Sequence, residues 1–70
     1  MTFGDALEQL KAGREVRRSG WPFENDVIKC SYTADMRPYL EVVYDDMEPI
    51  PYTVTDIDLF ANDWEVVNAV

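Results

Sequence analysis

"VIKCSYTADMRPYLEVVYD", Val27 to Asp45, decides the fold. Ile28, Cys30 and Tyr32 alternate with Val27, Lys29 and Ser31, and Leu40, Val42 and Tyr44 share one side of the second run. Strict alternation over a short stretch marks a strand with one buried face. "ADMRP" between the runs reads as a turn, though it lacks the usual glycine. The two runs predict an antiparallel hairpin.

Upstream, Phe3, Ala6, Leu7 and Leu10 recur at helical spacing, so the start of the chain predicts a helix with Thr2 as cap. Asp5 completes a short capping box, Lys11 suits the C-terminal dipole, and Gly13 ends the helix. "REVRRSGW" predicts an extended segment and a turn, with Val16 facing in and Arg17 facing out. Trp21 is held extended by Pro22. Downstream, "IPYTV" predicts an edge strand because of Pro51, "TDIDLFAND" a short helix capped by Thr55, and "WEVV" a last strand. The expected fold is α+β: an N-terminal helix packed on a small antiparallel sheet, with a short helical turn before the C-terminal strand, in one domain spanning 1–70. The Phe3, Leu7 and Leu10 stripe is expected to pack on the sheet formed by residues 27–33 and 39–44.

Charge is unevenly spread. Residues 1–37 hold six acids and six Lys or Arg, whereas residues 38–70 hold eight acids and no base, so the net charge of −8 belongs to the second half. Disorder needs few apolar residues. This half is instead rich in Val, Ile, Leu and aromatics, so folded structure with an acidic coat is expected. Anionic lipid and nucleic acid repel such a surface, and neither membrane nor direct nucleic-acid binding is expected. A single cysteine, Cys30, permits no intrachain disulfide. It sits on the apolar side of its strand and reads as a buried inert thiol. With no signal-peptide pattern, this fits a reducing cytoplasm.

The chain has no histidine, the commonest general base and metal ligand. An EF-hand loop counted from Asp56 would need glycine at Ala61 and glutamate at Val67, and is rejected. No catalytic residue, cofactor or metal ion is expected, and the chain is not expected to be an enzyme.

Two blocks carry a resemblance. Phe3, Gly4, Ala6, Leu7, Leu10, Lys11, Gly13, Val16, Arg18, Gly20 and Trp21 fit F-G-x-A-L-x-x-L-K-x-G followed by V-x-R-x-G-W. Asp58, Leu59, Ala61, Asp63 and Trp64 fit D-[LM]-x-A-x-D-W. The pattern resembles the Thoeris anti-defence 2 family of short phage proteins. That resemblance implies a small α+β domain and a counter-defence role in the cytoplasm of an infected bacterial host. Known members bind cyclic ADP-ribose-like immune signals as oligomers, and the family includes an anti-CRISPR protein. After Gly20-Trp21 the family pattern has N-G-K-G, whereas this chain has Pro22, Phe23, Glu24 and Asn25.

Two functions are therefore expected to compete. In the first, an anti-CRISPR protein mimics nucleic acid, and Glu41, Asp45, Asp46, Glu48, Asp56, Asp58, Asp63 and Glu65 meet the basic DNA-binding surface of a host Cas effector subunit. In the second, the chain is a sponge for a cyclic ADP-ribose-type or cyclic oligonucleotide signal. Trp21, Phe23 or Tyr52 would stack on a base, and Arg17 or Arg18 would meet phosphate. A monomer or small homo-oligomer suits either.

Overall fold

Alternation along Val27–Asp45 becomes two paired strands. In chain order the elements are α1 (Phe3–Lys11), β1 (Glu15–Arg18), β2 (Val27–Tyr32), β3 (Pro38–Val43), β4 (Ile50–Pro51), α2 (Asp56–Phe60) and β5 (Trp64–Asn68). The computed structural model describes residues 1–23, 25–44 and 47–68, the side chain of Asn68 excepted. The five strands form one sheet in the order β4-β3-β2-β1-β5, with every neighbouring pair antiparallel. β2 and β3 keep an unbroken register from Val27 opposite Val43 to Tyr32 opposite Pro38. Their turn needs one residue in the left-handed region. With no glycine present, Met36 takes it at φ 65°.

α1 opens with a capping box: Thr2 Oγ1 accepts from the Asp5 N–H, and the Asp5 carboxylate accepts from the Thr2 N–H. Gly13, at φ 90°, closes the helix just past its Ala12 cap. Phe3, Ala6 and Leu10 are buried, and they meet Val16, Ile28, Val42 and Trp64 in the core. Leu7 only flanks that core, because α1 lies mainly over β1, β5 and β2 and reaches the hairpin less than expected. Its outer side borders a crevice of about 170 Å³ that also exposes part of Cys30, so the thiol is half-buried and not sealed inside.

Two further expectations are corrected. "IPYTV" contributes only Ile50 and Pro51 as strand, since proline has no N–H with which to extend the ladder. Arg17 is buried, at 7% exposure, and does not face solvent. It leaves the sheet opposite Val16, but the carbonyls of Trp21 and Phe23 fold over it and accept from its Nη2 at 3.1 and 3.0 Å.

Candidate functional site

The two sequence blocks meet in space around Arg18. This side chain leaves the end of β1 and forks onto two carboxylates. Nε lies 2.7 Å from Asp63 Oδ1, and Nη1 lies 2.9 Å from Asp58 Oδ1. Asp63 Oδ2 also accepts from the Gly20 N–H at 3.1 Å. A Cβ at Gly20 would stand only 2.9 Å from that oxygen, so the close approach requires glycine. Asp58 accepts a second bond from the Tyr52 hydroxyl, and its main-chain carbonyl accepts from Trp64 Nε1 at 3.0 Å. Thr55 caps α2 by accepting from the Asp58 N–H, which fixes where that carboxylate starts.

The electrostatics follow from these partners. Burial alone would raise the Asp58 carboxyl, but hydrogen bonds from Tyr52 and Arg18 outweigh it and hold its pKa below the usual value. The Arg18 hydrogen bond and the Gly20 N–H likewise hold Asp63 down. Arg18 is raised by the same two carboxylates, Asp63 first. The Tyr52 phenol is pushed up by burial and by donating to Asp58.

Beside this network lies a cleft of about 320 Å³, within the range of small-ligand sites. Trp21, Phe23, Tyr44 and Tyr52 supply aromatic walls, and Asp26 and Asp58 supply carboxylates. Trp21 is braced edge-on against Trp64 at 5.6 Å between ring centroids, and Trp64 in turn against Phe3 at 5.3 Å. No Lys or Arg among the described residues lines the cleft.

The expected site residues separate into groups. Trp21, Phe23 and Tyr52 come together in the cleft, whereas Arg17 and Arg18 stay outside it. Arg17 Nη1 is spent on Glu65 at 3.3 Å. Asp58 and Asp63 hold Arg18. Glu41 points to the far side of the hairpin. It accepts from Tyr39 at 2.7 Å and Ser31 at 2.8 Å, with Lys29 at 3.9 Å, and the first two hold its pKa down. Glu48 and Asp56 are exposed, and Asp45 and Asp46 lie outside the described residues. Cations of the first half therefore reach across to acids of the second. The asymmetry along the chain is partly cancelled in space, and half of the expected acidic row is engaged inside the fold.

Sequence reasoning missed Asp26 and Tyr44 as cleft residues. Tyr44 carried a signal, since it shares the alternation that turns Val42 inward. Asp26 carried none, because its role depends on the path of the loop before β2. The Arg18 network had a signal as well: one block holds an arginine, the other two aspartates.

No curated protein matches the chain. The Thoeris anti-defense 2-like domain matches residues 1–67, a span that takes in both helices, β1 to β4, all of β5 but its last residue, and both halves of the Arg18 network. A match over nearly the whole length, with both sequence blocks serving one structural junction, means that this chain belongs to the Thoeris anti-defense 2-like family.

Proposed function

We propose that the chain is a phage anti-defence protein that acts by stoichiometric binding, not turnover, and that its target is a basic, DNA-binding surface of a Cas effector subunit. Family membership supports the anti-defence role. The observation that carries the choice of target is the charge around the cleft. Among the described residues its only charged lining groups are Asp26 and Asp58, and the two nearby arginines are already committed to internal acceptors. A phosphate-rich ligand wants free Arg or Lys or converging N–H groups. A basic protein surface wants the opposite, and a net charge of −8 would speed its approach.

The test is competition with target DNA for purified effector across a salt series. Affinity should fall as salt rises. The exposed pair Glu48→Lys with Asp56→Lys should weaken binding by about tenfold or more, while Glu8→Lys in the neutral half should not. Binding indifferent to salt and to the double reversal would remove this reading. A second reading, the nucleotide sponge, is favoured by the meeting of Trp21, Phe23 and Tyr52 in one cleft. Calorimetry with cyclic ADP-ribose isomers separates the two: a tight stoichiometric signal would replace the first by the second.

A further inference from the structure

Asp26 is the only carboxylate among the described residues that is buried, at 8% exposure. It lines the cleft, and none of the hydrogen bonds or ion pairs among the described residues engages its carboxylate, whose oxygens stay open to solvent there. Asp58, across the cleft, differs: Arg18 and Tyr52 already donate to its carboxylate. A carboxylate whose stem is enclosed while its oxygens meet an aromatic cleft is placed to take a counter-ion there. Around Asp26 stand four aromatic rings. Trp21 and Tyr52 are half-buried, whereas Phe23 and Tyr44 remain exposed, at 67% and 42%, although both border the cleft. Ring faces carry negative potential and attract organic cations.

We propose that this cleft is a receptor for one organic cation, a guanidinium or alkylammonium group, with Asp26 as its counter-ion and Trp21, Phe23, Tyr44 and Tyr52 as its cage. The proposal rests on the basic-partner reading above and sharpens it: the partner is gripped at one side chain and not only along a charged face. The same chemistry has two sources, an Arg or Lys side chain of a protein and a free amine. Phosphate is disfavoured here by both carboxylates. Exposed rings at the rim, Phe23 above all, become covered when the cation carries a protein behind it.

The experiment is a ¹H–¹⁵N NMR titration of the intact chain, following the Trp21 indole N–H. The probes are agmatine, acetyl-Gly-Arg-Gly-amide, tetramethylammonium and adenosine. Saturable shifts with the cations are expected, with adenosine weaker. A peptide as tight as agmatine assigns the source to a protein side chain; agmatine alone assigns it to a free amine. Asp26→Asn should fold, with unchanged far-ultraviolet circular dichroism, and weaken the cations by about tenfold. Phe23→Leu, at an exposed position, should weaken them by about threefold. Glu8→Gln, exposed on α1 and outside the cleft, controls for general charge and should leave them unchanged. Equal affinity in wild type and Asp26→Asn, adenosine tighter than agmatine, or no saturation would overturn the proposal. These probes need no host protein, so their failure leaves the DNA-competition result standing on its own.

Discussion

Truncating two neighbouring leucines of α1 should give unequal losses. Leu→Ala deletes three carbons, and at about 0.8 kcal/mol per buried carbon the transfer loss is roughly 2.4 kcal/mol for a fully buried side chain. Leu10 is 1% exposed in the centre of the core, so a cavity cost adds to this. The total should be about 3–5 kcal/mol. Leu7 is half-buried beside the crevice it shares with Cys30 and Leu40, which already opens outward. Its truncation encloses no new void and forfeits about half the transfer term, about 1 kcal/mol. A domain of 70 residues has about 4–10 kcal/mol in total, so the first variant approaches unfolding and the second does not. Urea denaturation read by tryptophan fluorescence measures both, provided the slope is shared. Leu7→Ala costing as much as Leu10→Ala would refute this placement of α1. So would a Leu10→Ala loss below about 1 kcal/mol.

Other consequences are as direct. Thr2→Ala removes one half of the capping box and should cost about 1 kcal/mol, with little further loss when Asp5→Ala is added; additive losses in urea melts would argue against a shared cap. Gly20→Ala must push the Asp63 carboxylate away from Arg18, so it should lower the melting temperature and alter Trp21 fluorescence, and a silent variant would contradict the close approach. Asp58 and Asp63 have depressed pKa values, so their contribution is full above the unfolded carboxylate pKa and fades as pH falls through the folded values, below about pH 4. The stability gap between wild type and Arg18→Gln should therefore narrow from neutral pH to about pH 3 in thermal melts. A gap that stays constant would mean that the fork contributes nothing as an ion pair.

What the chain discloses in advance depends on how local the cause is. α1 was legible because its cap, stripe and closing glycine all lie within residues 2–13. The hairpin was legible because alternation fixes which side chains share a face. Thr55 announced α2 for the same reason. Arg17 was misjudged because alternation assigns a face but not what covers it, and here two loop carbonyls do. The acidic row was overcounted for a related reason. Counting along the chain ignores that Arg17, Arg18 and Lys29 face Glu65, Asp58 with Asp63, and Glu41 across strands and loops. The cleft joins residues from Trp21 to Asp58, and no short window contains it.

The two margins of the sheet are not equivalent, and this gives lateral growth a direction. β4 contributes two residues, one of them Pro51, so that margin is poor in free donors for an incoming strand. At the opposite margin runs β5, longer, with Val66 and Val67 exposed; only its first residue is covered, where Met1 accepts from the Trp64 N–H and donates to the Trp64 carbonyl. Unpaired backbone along a margin is a template for another chain. A second copy meeting β5 with its own β5, antiparallel, satisfies both templates at once and leaves a proline-bearing margin at each end. Assembly by this route would stop at a two-fold pair, because a proline-bearing margin would then face outward at each end.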